Sequence, residues 1–305
     1  MKADPQTVAF NQQLEAMLGA GTPWHTMGAQ ELRDYLVENP LGPPMPDLDE
    51  AQERTIPGPA GDIPIRVVVP QNVDGVYLHF HGGGWVIGSH QGSDQVHMAR
   101  ATATRQAVVS VGYRMAPEDS YPAPNEDCEA AAKWLVENAQ SEFGTDKLTI
   151  GGESAGSHLA VTTLVRMRDN HGYTGFRAAA LQCGVYDCAL TPSARNWGDR
   201  NLLINTPVMD WFVGHYASER DLSDPDISPL HAKLDDMPPA IFSVGTADPL
   251  MDDSLLLAAR WEAAGAETQL DVYPEAPHVF MGFPTPAGAE ATARINSFLS
   301  RSLAD

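Results

Sequence analysis

One segment constrains this chain more than any other. Lys147-Leu148-Thr149-Ile150 reads as a buried strand, Gly152-Glu153-Ser154-Ala155-Gly156 follows as G-x-S-x-G, and Leu159, Thr163, Leu164 and Met167 then recur at helical spacing. A strand that turns into a helix this tightly forces its central residue into an unfavourable backbone conformation. Glycine is needed at 152 and 156 because a Cβ there would collide with neighbouring chain. The product is an exposed hydroxyl at a helix N-terminus, where unpaired N–H groups and the helix dipole favour developing negative charge. Ser154 is therefore the candidate nucleophile. A glycine-rich turn with an incidental serine would need neither the strand before it nor the amphipathic helix after it.

A second glycine cluster supplies the complementary chemistry. The strand Val76 to Phe80 ends in His81-Gly82-Gly83-Gly84-Trp85. Consecutive glycines lose much backbone entropy on folding, and one reason to keep them is to point N–H groups into a pocket with no side chain in the way. A phosphate cradle is the competing explanation. It fails because no lysine follows the glycines and no G-x-G-x-x-G leads into a cofactor unit. His79 and His81 share a strand face, but no third metal ligand is identifiable, and such histidines more often order the loop by hydrogen bonding.

A serine hydroxyl needs a neutral imidazole to take its proton and a carboxylate to orient that imidazole. Enzymes built on such a turn place the acid and then the histidine after the serine. His278, just past the strand Thr268 to Tyr273, is the only histidine beyond His231. The strand Ala240 to Val244 leads to Asp248, at the carboxyl end where side chains reach a pocket, whereas Asp252 and Asp253 open the next helix and have a capping role available. Asp248 is the candidate acid and Asp252 its rival.

The rest of the chain fits around these motifs. Ile63 to Val69, Ala107 to Val111 and Ala178 to Cys183 add further strands, several continuously apolar as strands covered on both faces are. Amphipathic helices alternate with them, one carrying Cys128, Ala131, Ala132, Leu135 and Val136, another Ala291, Ile295, Phe298 and Leu299. The expected fold class is α/β, a mostly parallel twisted central sheet flanked by helices. Two regions lack sheet texture. Residues 1–50 carry helical patterns around Phe10, Leu14, Met17 and Leu18 and around Leu32, Tyr35 and Leu36, closed by a Pro-rich stretch from Pro40 to Pro46; about 187–226 is aromatic-rich. The expected organisation is helices over 1–50 and a core over 51–305, with a helical insertion over the sheet at about 187–226.

Asp and Glu number 40 against 19 Lys and Arg, a formal charge of −21 that repels nucleic acid and anionic lipid. No run approaches a membrane span, and the first residues lack a secretory apolar stretch, so the expected address is the cytoplasm. Three cysteines without metal-type spacing, Cys128, Cys183 and Cys188, read as free and mostly buried thiols.

With these residues assembled, the chain resembles the bacterial hormone-sensitive lipase-like esterases, family IV of the α/β-hydrolase superfamily, from roughly Pro70 onward. Beside the two glycine motifs, Tyr113-Arg114-Met115-Ala116-Pro117-Glu118 is similar to the family's Y-R-L-A-P-E, Asp248-Pro249-Leu250 to its D-P-L, and His278-Val279-Phe280 to its H-x-F. Glu153, Ser157 and Asp119 depart from the family's usual Asp or Thr, Gly, and His, which touches subgroup and pocket shape rather than reaction type. The resemblance implies an α/β-hydrolase fold with a helical cap, a triad of Ser154, Asp248 and His278, and oxyanion donors on the backbone of Gly83, Gly84 and Ala155. It also implies hydrolysis of short to medium acyl esters without cofactor or metal, and pairing of two copies through the last sheet strand. Trp85, Tyr186, Trp211 and Phe212 are candidates for an apolar substrate pocket, with Trp24 beside them. An amidase or formamidase would use the same triad, and a binding-only receptor on this fold would lack the histidine.

Overall fold

The computed structural model describes residues 3–42 and 47–304. In chain order its elements are α1 (Pro5–Ala20), α2 (Ala29–Glu38), β1 (Gln52–Gly58), β2 (Gly61–Val68), β3 (Gly75–Phe80), α3 (Asp94–Thr104), β4 (Gln106–Val111), α4 (Ala123–Phe143), β5 (Leu148–Glu153) and α5 (Ala155–His171). There follow β6 (Ala178–Gln182), α6 (Pro192–Arg195), α7 (Thr206–Tyr216), β7 (Ala240–Ala247), α8 (Met251–Ala263), β8 (Thr268–Pro277) and α9 (Pro286–Ser302). The strands form one sheet in the order β1-β2-β4-β3-β5-β6-β7-β8. Pairing is antiparallel at β1/β2 and β2/β4 and parallel from there on.

Every residue of β3, β4 and β6 is buried, the burial on both faces that their unbroken apolar texture implies. Helices α4, α5 and α8 pack on one face of the sheet, α3 and α9 on the other. Trp261 of α8 shows how tightly the first face closes. It is fully buried, its ring stands edge-on to Phe242 of β7 at 5.8 Å, and its Nε1 donates to the Pro238 carbonyl at 2.8 Å.

Register places the functional ends. Phe80 pairs with Gly152, so the glycine loop after β3 leaves the sheet beside the serine turn after β5. Glu153 pairs with Gln182, and beyond an irregularity in β7 Ala247 pairs with Pro277, which sets Asp248 beside His278.

Several features differ from expectation. Strand β1 reads as Gln-Glu-Arg-Thr-Ile-Pro-Gly, polar except for buried Ile56 and carrying Pro57. It forms because it is an edge strand, paired only to β2 across a short turn, where proline and polar side chains are tolerated. Strand β8 runs on to Pro277, four residues past its expected end. In α1, Met17 is exposed, and the helix instead buries Thr7, Asn11 and Leu14, Asn11 donating to the Glu275 carbonyl at 2.6 Å. Helix α2 ends at Glu38, and the part of the Pro-rich stretch over 43–46 lies outside the described residues. The segment over 187–226 carries α6, α7 and an isolated Leu202–Ile204 bridge, joined by turns and irregular chain.

Trp261→Ala should lower unfolding free energy by about 3–5 kcal/mol, the range for truncating a buried aromatic. Urea unfolding followed by circular dichroism measures it, and a loss below 1 kcal/mol would show that the α8 face is loosely packed.

Candidate active site

Ser154 stands between β5 and α5 with φ 54° and ψ −121°, a strained conformation for a residue with a side chain. The reason for the flanking glycines is metric. A Cβ on Gly152 would lie 2.2 Å from the Phe80 carbonyl oxygen, and one on Gly156 would lie 1.9 Å from the same atom. Neither approach is possible for a larger residue.

The three side chains expected to cooperate are brought together from 94 to 124 residues apart along the chain and 30 apart at its end. His278 Nε2 lies 2.9 Å from Ser154 Oγ, and Nδ1 lies 2.9 Å from Asp248 Oδ2. Since a carboxylate only accepts, Nδ1 carries the proton, which leaves Nε2 as acceptor for the serine hydroxyl. Asp248 is fixed in turn, its Oδ1 accepting the Leu250 N–H at 2.9 Å. His278 and Asp248 are both buried. Burial works against a charged imidazole, but the adjacent Asp248 carboxylate outweighs it, so the His278 pKa stands above its ordinary value.

Asp252 and Asp253 do other work than expected. Neither carboxylate caps α8, whose N-cap residue is Leu250 and whose Asp252 N–H is taken by Ser193 Oγ at 3.0 Å. Instead Asp252 accepts the Ser193 N–H at 2.8 Å, while buried Asp253 accepts the N–H groups of Tyr186 and Asp187 at 2.6 and 2.9 Å and the Thr191 hydroxyl at 2.6 Å. Together they hold the root of the helical insertion. Burial pushes the Asp253 carboxyl up to about 7 despite these donors.

Gly83 and Gly84 have φ of +111° and +57° and line one cavity with Ser154 and His278. A Cβ on Gly83 would meet the Ile87 carbonyl at 2.1 Å, and one on Gly84 would meet the Phe212 ring at 2.3 Å. Ala155 begins α5, so its N–H has no acceptor within the helix. The loop is anchored by Glu153, a role the sequence did not disclose. Its Oε1 accepts the Gly82 N–H at 2.8 Å and its Oε2 lies 3.0 Å from His79 Nε2. Burial pushes this carboxyl up, but His79 and the Gly82 amide hold it down at about 2. His81 points its Nδ1 at the Gly82 carbonyl at 2.8 Å and stacks on Tyr113, whose hydroxyl donates to the His81 carbonyl at 2.8 Å. Burial lowers the His81 pKa to about 4.

The cavity measures about 150 Å³ and its wall is almost wholly apolar, with Trp24, Leu190, Leu203, Ile204, Met209 and Phe212 prominent. Of the expected pocket residues, Trp85 and Phe212 line it; Trp85 is held from behind, stacked on Tyr216 at 4.2 Å with its Nε1 donating to His158 Nδ1 at 3.2 Å. Tyr186 and Trp211 do not line it, which corrects the sequence expectation. Tyr186 is wholly buried, its hydroxyl 2.7 Å from Ser157 Oγ and its ring edge-on to Phe242. Trp211 precedes Phe212 on α7, and adjacent helical positions face about 100° apart, so when Phe212 faces the cavity Trp211 turns away onto His215. Leu203 and Ile204, missed as pocket residues, sit in the run Leu202-Leu203-Ile204, whose apolarity was the available signal.

The three cysteines are free and buried. Cys183 Sγ, Asp248 and His278 offer ligand atoms within 4.8 Å of one another, the one such grouping among the described residues. Burial raises the Cys183 thiol pKa, and the other two are already bonded to each other.

A serine, an imidazole and a carboxylate in one hydrogen-bonded series at the carboxyl ends of a mostly parallel sheet is the arrangement of a serine hydrolase. The chain belongs to the alpha/beta hydrolase fold family, whose profile matches residues 77–282. Carboxylesterase NlhH of Mycobacterium tuberculosis is 36% identical over 275 residues, covering 85% of this chain and 84% of that protein. An arylesterase of Saccharolobus solfataricus is 33% identical over 244 residues, covering 78% of this chain and 79% of that protein. Among solved structures, a hyperthermophilic esterase from the archaeon Pyrobaculum calidifontis superposes with a TM-score of 0.87 at 29% identity, covering 100% of both chains.

Two pH effects follow. Catalysis through neutral His278 should rise with pH, with a midpoint above the ordinary imidazole value of about 6.5. Asp248→Asn removes the charge that raises it and should move the midpoint down while slowing the reaction, as kcat/KM profiles will show. Asp253, with its folded pKa raised to about 7, favours the native state at low pH and loses that contribution as pH climbs through its folded value. Urea unfolding between pH 4 and 8 should show wild type declining against Asp253→Asn across that window; parallel curves would refute it.

Proposed function

We propose that the protein is a carboxylic ester hydrolase acting on short to medium acyl esters through an acyl-enzyme. The observation that carries this reading is the Ser154–His278–Asp248 series, with two separations of 2.9 Å, opening onto a small apolar cavity edged by Gly83 and Gly84. Ser154 Oγ attacks the ester carbonyl carbon as its proton passes to His278 Nε2. The carbonyl oxygen, now anionic, faces the backbone N–H groups of Gly83, Gly84 and Ala155. Collapse breaks the bond to the leaving alkoxide, which takes the proton from His278. Water then gives a proton to His278 and attacks the acyl carbon, and the acid departs as Ser154 regains its hydrogen. Asp248 orients the imidazole and offsets its transient charge.

The substrate class rests on the cavity. At about 150 Å³ it is the size of a void that holds a benzene molecule, enough for a short acyl group and too small for a long one. Helices α1 and α2 with the insertion over 187–226 act as the cap, since Trp24 and Phe212 reach the cavity from each. Among the described residues no helix is long and apolar enough to cross a membrane. We place the protein in the cytoplasm on its three free, buried cysteines, and β8, at one edge of the sheet, is the surface for a second copy.

A p-nitrophenyl ester series from acetate to palmitate, run on wild type and Ser154→Ala, tests mechanism and depth together. Rates should peak at short to medium chains and fall by roughly 10⁴–10⁶ in the variant. Phe212→Ala should shift the optimum toward longer chains. A Ser154→Ala enzyme of undiminished rate would overturn the mechanism, and preference for palmitate would overturn the substrate class. Matched ester and amide substrates separate the esterase from an amidase.

A further inference from the structure

Behind the serine turn, on the α3 and α9 side of the sheet, lies a second cavity of about 200 Å³. Three side chains of α3 line it, Val96, His97 and Arg100, and the two polar ones are more than nine-tenths buried: Arg100 is 7% exposed and His97 3%. Arg100 Nη1 and His97 Nδ1 have no hydrogen-bond partner, and the guanidinium, standing over the Tyr77 ring at 5.0 Å, forms no ion pair among the described residues. The carboxylate on the cavity wall is Glu153, whose oxygens are already engaged by the Gly82 amide and by His79.

Glu153 gives the wall negative charge but accepts no hydrogen bond from Arg100, and a buried donor left without an acceptor is unfavourable, so Arg100 Nη1 calls for an acceptor from outside the chain. The rest of the wall limits what that acceptor is. Val96, Val279, Met281 and Phe283 line the same cavity, and Val96 is 45% exposed, so the space reaches the surface. Water would satisfy the donors but leave the apolar wall wet. An inorganic anion would match the head of the site and not its body.

We propose that this cavity binds a short aliphatic monocarboxylate, with its carboxylate on Arg100 and His97 and its chain along Val96, Val279, Met281 and Phe283. The site is distinct from Ser154, and its occupancy requires no turnover. Val279 lines both cavities, which makes it the partition between them. If the esterase reading above holds, the acid it releases belongs to the class this cavity takes, so the site would register product.

Butyrate is the probe, and thermal unfolding of the full chain is the readout, because a ligand that binds only the native state raises Tm saturably. Wild type should show such a rise at millimolar butyrate, and neither chloride at matched ionic strength nor 1-butanol should reproduce it. Arg100→Met should weaken the apparent affinity about tenfold or more, the loss expected for a charge-assisted hydrogen bond. Val96→Trp, which fills the cavity from its rim with Arg100 intact, should do the same and serves if the arginine variant does not fold. Phe212→Ala, on the wall of the catalytic cavity, should leave the shift unchanged. The proposal is overturned if butyrate gives no saturable shift, if chloride or 1-butanol matches it, if the shift survives undiminished in Val96→Trp, or if it disappears in Phe212→Ala. Because no ester enters these measurements, their failure is separate from a failure of the hydrolase reading.

Discussion

The carbonyl oxygen of Phe80 is the point on which the site turns. It lies where the Cβ atoms of residues 152 and 156 would be, at 2.2 and 1.9 Å, so glycine at both positions is the condition for β3 and the serine turn to meet. That contact does two things at once. It bends the chain sharply enough to hold Ser154 at φ 54°, and it brings the loop after β3 alongside, where Glu153 ties down the Gly82 amide. Ser154 and the backbone at Gly82 are thus set by one close approach and one carboxylate.

The Asp248–His278 pair is set by register. Ala247 and Pro277 pair across the end of the sheet, so the residues that follow each are neighbours, and Asp248 and His278 meet at 2.9 Å. Burial then makes that pairing matter, because an imidazole and a carboxylate withdrawn from water interact far more strongly than at the surface. The insertion over the cavity is secured by a comparable device, buried Asp253, whose three donors all come from the chain leading into it.

What the sequence disclosed follows a physical division. Strands buried on both faces leave unbroken apolar runs, and tight turns leave glycines, so the sheet from β2 to β8 and the serine turn were legible. Ser154, Asp248 and His278, which stand within hydrogen-bonding reach of one another, could be singled out because chain order and strand ends limit where such groups can stand. Strand β1 was not, since an edge strand buries only Ile56 and needs no apolar pattern. The cavity wall was half found. Trp85 and Phe212 line it, whereas Tyr186 and Trp211 do not, because an aromatic count does not say which way a helical face turns. Glu153 and Asp253 were visible as acids but not as tethers, a role that exists only once distant backbone amides are folded against them.

Phe212 and Gly84 carry one more consequence. The Phe212 ring, which lines the cavity beside Ser154, rests on the Gly84 backbone, 2.3 Å from where a Cβ would stand. Under the proposed hydrolase reading, breadth of substrate and speed of chemistry are mechanically joined. A mutational route toward bulkier esters that passes through position 212 will loosen the loop as it widens the chamber, and recovering the lost rate will demand compensation in α7 rather than in the triad.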